Sequence, residues 1–120
     1  MRGFNAFARG ATHLACTRRP ISKKIRDAYC APYDSWGDRR AVLRFVQDIP
    51  LKPGDPSYLT VRHVDDHLQK TFSGIPMIII WGKHDFVFDT DYFLEWKRRF
   101  PDAETYFFTD AGHYLLEDKP

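Results

Sequence analysis

No apolar stretch in this 120-residue sequence is long enough to cross a lipid bilayer. A membrane-spanning helix needs about 18 or more consecutive apolar residues, and the longest clean run, IPMIIIW, covers only residues 75–81. Cysteine is scarce too, with Cys16 and Cys30 alone. Two cysteines do not make a disulfide framework, and their spacing fits no zinc motif. We therefore predict a soluble, cytoplasmic protein with reduced thiols.

A glycine-rich phosphate loop is also missing, so nucleotide binding has no support and we expect no cofactor. His63 and His67 have the i, i+4 spacing at which two imidazoles can share one metal ion. A zinc protease would carry glutamate directly after the first of these histidines, where Val64 stands, and no third ligand is evident. We expect a solvated helix face at this position and no metal site.

Acidic residues are almost absent from the first quarter of the chain. Residues 1–30 hold seven Lys and Arg but one acid, Asp27. An Arg-bearing N-terminus of this kind is compatible with a mitochondrial transit peptide or a nucleic-acid-binding patch. Apolar residues are interleaved throughout the segment, which favours a helix with a solvated basic face. We therefore expect that the protein binds no nucleic acid.

Aromatic and apolar residues are plentiful, at 16% and 43% of the chain, which predicts a packed rather than a disordered protein. Up to Phe72, apolar residues recur at helical spacing and prolines mark the ends of the helical stretches. Helices are predicted in three segments, 21–29, 37–50 and 58–72.

The residues from Ser73 onward have the pattern of a βαβ unit. GIPMIIIWG (74–82) is a continuous apolar run between glycines, typical of a strand buried on both faces of a parallel sheet. DTDYFLEWKRRFP (89–101) predicts an amphipathic helix with Asp89 as its N-cap, and AETYFF (103–108) predicts a second strand. Strand, helix and strand in this order require a parallel sheet.

Two parallel strands alone do not make a stable sheet, because parallel sheets are normally covered by helices on both faces. Nothing in residues 1–72 resembles a further parallel strand. We therefore expect an incomplete α/β domain, or a subunit that is completed by a partner. An exposed strand edge would allow self-association or strand addition. A non-catalytic interaction module is thus an alternative to an enzyme.

The polar residues that follow the two predicted strands indicate where chemistry would take place. Asp85 lies after the first strand, in WGKHD, and His113 lies after the second, in DAGH. Functional groups collect at the carboxyl ends of strands in open α/β sheets, so these two side chains should meet at one edge. A carboxylate there would fix the imidazole tautomer and stabilise the imidazolium ion. We predict Asp85 and His113 as a catalytic pair; a turn or cap role is the structural alternative for Asp85.

Several other side chains near these loops have both a functional and a structural interpretation. His84 is expected to be an ordinary loop residue. Trp36 and Trp81 could donate an indole N–H to a bound halide or carboxylate, but packing is favoured because Trp is usually mostly buried. Phe86 and Phe88 fit either the mouth of a pocket or the core.

Four segments resemble a known family. WGKHDFVFD (81–89) and DAGHYLLED (110–118) resemble the acid and histidine motifs of the α/β-hydrolases, near the haloalkane dehalogenases. APYDSWGDRRAVLRFVQDIP (31–50) resembles the cap domain of that group. Within the group, the chain is most similar to the β-lactone decarboxylases of long-chain olefin biosynthesis, whose caps resemble GFNAFARGAT (3–12) and RFVQDIP (44–50). The resemblance covers essentially the whole chain and implies a partial α/β-hydrolase fold.

The resemblance implies that residues 1–72 are helices of a cap and that residues 73–120 end the hydrolase core. It also implies an apolar, uncharged substrate, and a role for His113, oriented by Asp85, in activating the water that cleaves an ester intermediate. The family's nucleophile lies in G-x-S-x-G or is an aspartate followed by tryptophan, and neither pattern occurs here. We expect the C-terminal part of such an enzyme, inactive in isolation. A truncated serine esterase or epoxide hydrolase is a further alternative.

Overall fold

A computed structural model describes residues 5–120 of the chain, so the first four residues of the predicted cap lie outside the described residues. The elements within this range are, in chain order, α1 (Ala6–Leu14), α2 (Lys23–Cys30), a short 3₁₀ helix (Ala31–Tyr33), α3 (Arg40–Gln47), α4 (Tyr58–Phe72), β1 (Ile78–Gly82), α5 (Thr90–Arg99), β2 (Glu104–Phe108) and α6 (Leu115–Asp118). The fold class is α/β, as predicted.

The strands β1 and β2 form the parallel pair that the βαβ pattern predicts. Ile78 is the partner of Glu104 at one end of the register, and Gly82 is the partner of Phe108 at the other. The helix α5 connects the two strands and contacts β1. Because the strands run in the same direction, their carboxyl ends lie side by side, and the loops that follow them start next to each other.

The core lies between α5 and one face of this sheet. Ile79, Phe93 and Phe100 are buried together, and partly buried apolar residues pack against them, namely Leu68, Met77, Trp81, Trp96 and Ala103. The aromatic face of α5 therefore packs as its periodicity predicts. Asp89 caps this helix as expected, because its side chain accepts a hydrogen bond of 3.0 Å from the backbone N–H of Asp91.

Strand β1 differs from its prediction in length and in burial. It begins at Ile78 and not at residue 74, because Gly74 has a left-handed φ of 78° and Pro76 has no backbone N–H for a sheet. Ile78 and Ile80 are exposed, and only Ile79 of the three isoleucines is buried. Within residues 5–120, α5 covers only one face of β1. The prediction that both faces of this strand are buried is therefore wrong.

The helices α2 and α3 are shorter than predicted, whereas α4 covers the predicted 58–72. Ser22 starts α2, because its hydroxyl accepts a 3.3 Å bond from the N–H of Ile25. Gln69 on α4 donates to the carbonyl of Arg99 at 2.9 Å, which attaches α4 to the end of α5. None of the helices in residues 5–120 combines the length and the apolar composition that crossing a bilayer requires.

Candidate functional site

The loops after β1 and β2 pack directly against each other. The backbone N–H of His84 donates to the carbonyl of Ala111 at 2.9 Å. A Cβ atom added at Gly82 would lie 2.6 Å from the carbonyl oxygens of both Ala111 and Gly112, which is closer than real Cβ atoms come to backbone. Glycine at position 82 therefore permits the contact between the two loops.

Gly82→Ala is expected to destabilise the chain by about 1–3 kcal/mol, because the carbonyls of the second loop must move to accept the methyl group. Urea denaturation followed by circular dichroism measures this loss. Gly10→Ala in α1 is the matched control, since a Cβ at Gly10 meets nothing within 4 Å. In a helix, alanine is more stable than glycine by up to about 1 kcal/mol. An unchanged midpoint for Gly82→Ala would contradict the close approach of the loops.

Asp85 organises the first loop and also contacts His113. Its Oδ1 accepts hydrogen bonds from the N–H groups of Val87, at 2.8 Å, and Phe88, at 2.9 Å. Its own N–H donates to the carbonyl of Gly82 at 3.2 Å. The turn role that was the structural alternative for Asp85 is thus present. It does not prevent the second contact, because a carboxylate has about four acceptor positions.

The imidazole of His113 lies against that carboxylate. Nδ1 is 2.9 Å from Oδ2 of Asp85 and 3.0 Å from Oδ1. An ionised carboxylate can only accept, so Nδ1 is the donor, and in the neutral ring Nε2 keeps a lone pair that can take a proton. The side chain of His113 is 30% exposed and that of Asp85 only 11%. The ring can therefore be reached from outside while its partner is shielded.

Aromatic rings surround the imidazole on several sides. The ring centroids of Phe86, Phe88 and Tyr114 lie 6.2, 5.9 and 5.9 Å from that of His113. The indole N–H of Trp81 donates to the carbonyl of Phe88 at 2.9 Å, and the ring packs against the core, in agreement with the predicted packing role. The imidazole of His113 therefore has several aromatic neighbours.

An apolar cleft begins next to Tyr114. It has a volume of about 310 Å³, lies among α1, α2, the 3₁₀ helix and α3, and is lined by Phe7, Ala8, Ala11, Ala28, Tyr29, Pro32, Tyr33, Val42 and Tyr114. No charged side chain is among these lining residues. The rings of Tyr29 and Tyr114 stack with centroids 5.0 Å apart, and the hydroxyl of Tyr29 donates to Glu117 at 3.1 Å. Helix α2 is thereby attached to the residues directly after His113.

Asp118 is a residue of this region that the sequence did not reveal. Its side chain is buried, and its carboxylate accepts hydrogen bonds from the N–H groups of Gly112, Thr17 and Arg18. Burial raises the pKa of Asp118, but these bonds and the Arg18 charge outweigh that effect and hold this pKa below its ordinary value. An aspartate in the short segment LLED carries no local signal of burial, because two of its three partners, Thr17 and Arg18, lie about 100 positions earlier in the chain.

The side chains of the remaining candidates lie in different surroundings. The rings of His63 and His67 lie 4.2 Å apart on an exposed face of α4. Among residues 5–120, no group of three or more His, Cys, Asp and Glu is placed to hold a metal ion. His84 is exposed, as expected of a loop residue. Trp36 lies in a turn before α3 and is 59% exposed, whereas its predicted packing role implied a mostly buried ring.

Comparison with known proteins gives consistent matches. A family model described as alpha/beta hydrolase fold matches residues 17–120. The cis-3-alkyl-4-alkyloxetan-2-one decarboxylase of Shewanella oneidensis is 49% identical over 118 residues, which cover 98% of this chain and 37% of that protein. The protein of the same name from Xanthomonas campestris pv. campestris is 42% identical over 119 residues, which cover 99% of this chain and 39% of the relative. The chain thus spans less than two fifths of the length of either relative.

Proposed function

We propose, from the premise that this chain belongs to the alpha/beta hydrolase fold family, that Asp85 and His113 are the acid–base pair of an enzyme acting on an apolar substrate. Residues 1–72 would form its helical cap and residues 73–120 the end of its core. The observation that carries the proposal is the 2.9 Å contact between Nδ1 of His113 and Oδ2 of Asp85, beside the carboxyl ends of two parallel strands.

The substrate class follows from the relatives and from the surroundings of His113. Both relatives are named for a cis-3-alkyl-4-alkyloxetan-2-one, a four-membered lactone with an alkyl group on each of two ring carbons. The aromatic rings around the imidazole and the cleft beside Tyr114 favour an uncharged, apolar compound. A haloalkane is also apolar and uncharged and would suit the same surroundings. We prefer the lactone because both relatives are named for it.

The reaction would need a nucleophile, and neither of the family's nucleophile patterns occurs in this sequence. Decarboxylation of such a lactone breaks the ring bond between oxygen and the alkylated carbon, and the bond between the carbonyl and the neighbouring carbon. The products are carbon dioxide and an alkene. The lactone and the two products contain the same atoms, so no proton is consumed overall. In the proposed mechanism, Asp85 orients His113, and any proton that Nε2 takes from the reacting group is returned to it within the same cycle, while the carboxylate stabilises the transient imidazolium ion. The isolated chain would therefore have no turnover.

The experiment that tests this proposal uses a hybrid protein. In this hybrid, the present chain replaces the aligned 118 residues of the Shewanella relative. The hybrid is given a cis-3-alkyl-4-alkyloxetan-2-one, and the alkene is measured by gas chromatography. We expect turnover by the hybrid and none by the isolated chain.

An alkyl halide and an aryl ester, given to the same hybrid, separate the lactone from the other substrate classes. A hybrid that is monodisperse and cooperatively folded but releases no alkene would contradict the proposed function. Turnover by the isolated chain that His113→Ala abolishes would contradict its predicted inactivity.

A second candidate function, an interaction module, is favoured by the uncovered part of the sheet. Within residues 5–120 each strand pairs with one neighbour, so each keeps a free edge. Ile78, Ile80 and Tyr106 are exposed beside these edges. Free strand edges and exposed apolar faces favour association.

Self-association of the isolated chain is therefore expected, and sedimentation velocity at rising protein concentration measures it. Ile80→Lys should reduce the oligomer fraction, because it places a charge on the exposed sheet face. Leu59→Lys on α4 is the control, since Leu59 is also exposed but lies on a different element. A monomer at every concentration would contradict self-association through this face.

A further inference from the structure

We infer that Asp118 is a positioning residue for His113: its buried carboxylate ties the loop that carries the histidine to the segment that follows α1. Asp118 has no contact with the reacting groups and would act only by holding His113 in place. The inference rests on the proposed role of His113 in catalysis.

The contacts of Asp118 join two distant parts of the chain. The residue closes α6 and is 1% exposed, and among residues 5–120 it is the largest side chain that is fully buried. Oδ2 accepts from the N–H of Gly112 at 2.7 Å and from that of Thr17 at 3.0 Å. Oδ1 accepts from the N–H of Arg18 at 3.0 Å and from that of Thr17 at 3.2 Å. One side chain therefore satisfies three backbone donors.

The backbone on both sides of His113 is held against the same segment. Before it, the N–H of Gly112 donates to Asp118, and after it, the N–H of Tyr114 donates to the carbonyl of Ala15 at 2.9 Å. Gly112 also lies so close that an added Cβ would be 2.7 Å from the Ala15 carbonyl. The loop cannot shift at either side of His113 without losing one of these bonds, so the segment 15–18 sets the position of the imidazole relative to Asp85.

A carboxylate suits this position better than an amide. Its two oxygens accept all of the bonds from Gly112, Thr17 and Arg18, whereas asparagine has a single acceptor oxygen and would turn its NH₂ group towards a backbone donor. Asp118→Asn keeps the shape of the side chain and removes part of the anchoring. This substitution therefore separates the positioning role from simple filling of space.

The test compares the state of the His113 ring in the ¹⁵N-labelled 120-residue chain and in its Asp118→Asn variant. Long-range ¹H–¹⁵N spectra report which ring nitrogen carries the proton, at a pH about two units above the ordinary histidine pKa of about 6.5. In the parent chain we expect the proton on Nδ1, facing Asp85. In Asp118→Asn we expect a mixture of tautomers, and amide exchange at Gly112 and Tyr114 that is faster by on the order of tenfold to a hundredfold.

Asp110→Asn is the matched control. Asp110 lies in the same loop and pairs with Arg18 at 3.0 Å and Lys119 at 2.7 Å, but its side chain is half exposed and its contacts are side-chain ion pairs. This substitution also removes one carboxylate charge near His113, and it should leave the His113 tautomer unchanged. Equal effects of both substitutions would mean that loop charge, and not the anchoring by Asp118, determines the state of the ring.

The outcomes below show whether Asp118 positions His113. A folded Asp118→Asn variant in which the His113 signal is unchanged would overturn it. If Asp118→Asn does not fold, Asp118→Glu keeps both acceptor oxygens at a displaced position, and it is compared with Asp110→Glu by the same criterion. A parent chain without the proton on Nδ1 would contradict the Asp85–His113 pair itself, and the inference with it. If the parent chain has the proton on Nδ1 and Asp118→Asn gives the same signal, only the role of Asp118 is contradicted, and the Asp85–His113 pair is not.

Discussion

Replacing His113 by alanine in the hybrid protein is expected to lower kcat for the lactone by about 10²–10⁴-fold, the usual effect of losing a general acid–base group. Michaelis constants should change little, because the imidazole would act on the proton in the transition state and not on binding of the alkyl groups. Steady-state measurements of alkene release give both constants.

Asp85→Asn should lower kcat by a similar factor, for a different reason. The amide can still accept the N–H bonds of Val87 and Phe88 in the turn, but it no longer supplies the charge that orients His113 and stabilises the imidazolium ion. The double variant should be hardly slower than either single variant, since the two groups act as a unit. Multiplicative losses would indicate that Asp85 and His113 act independently.

His84→Ala is the control for both substitutions. His84 is exposed and immediately precedes Asp85, so it tests whether any change in this loop lowers the rate. The rate of this variant should stay within about twofold of the parent hybrid, as for surface substitutions away from special features. A His113→Ala variant that keeps more than a tenth of the parental kcat would contradict an acid–base role for the histidine.

Asp118→Ala is expected to lower the free energy of unfolding of the 120-residue chain by about 2–4 kcal/mol at neutral pH, because each buried N–H group left without an acceptor costs roughly 1–3 kcal/mol. The substitution leaves the backbone N–H groups of Gly112, Thr17 and Arg18 without their acceptor inside the protein. Urea denaturation of the variant and the parent chain measures the difference.

The stability that Asp118 contributes to the chain should depend on pH, and the direction of its pKa shift determines where that stability is lost. The hydrogen bonds and the Arg18 charge hold the pKa of Asp118 in the folded chain below the ordinary value of 3.8. A lowered folded-state pKa means that the stabilisation is fully present above the unfolded-state value and is lost as the pH falls through the folded-state value. The difference between parent and Asp118→Ala should therefore be constant from about pH 5 to 7 and shrink below about pH 4.

Asp110→Ala serves as the control for this dependence. The Lys119 hydrogen bond likewise lowers the pKa of Asp110, but its side chain is half exposed and its ion pairs are screened by solvent. We expect only a small change in the urea midpoint. A loss for Asp118→Ala that is no larger than that for Asp110→Ala at pH 7 would exclude a buried anchoring role for Asp118.

The part of the fold that local patterns predicted lies in the C-terminal half. The continuous apolar run of β1 and the periodicity of α5 are properties of neighbouring residues, and they determined the βαβ order and the N-cap at Asp89. From this order, a general rule about the carboxyl ends of parallel strands placed Asp85 near His113, and the two side chains are in contact in the structure. Their catalytic role remains a prediction.

The features that the sequence did not predict depend on contacts between distant positions. Nothing within LLED indicates that Asp118 is buried, because its donors Thr17 and Arg18 lie at the other end of the chain. The close approach at Gly82 likewise depends on the second loop. The exposure of Ile78 and Ile80 could not be predicted from an apolar run, since such a run describes the side chains and not what covers them.

The protonation site of His113 in the unmodified chain is the most direct test of the proposed pair. Long-range ¹H–¹⁵N spectra, recorded where the imidazole is neutral, distinguish the two nitrogens without any turnover and without a nucleophile. We predict a proton held on Nδ1 and a bare Nε2 for His113, in contrast to the exposed ring of His84. A proton on Nε2 of His113, or the same tautomer mixture at both histidines, would contradict the proposed acid–base pair.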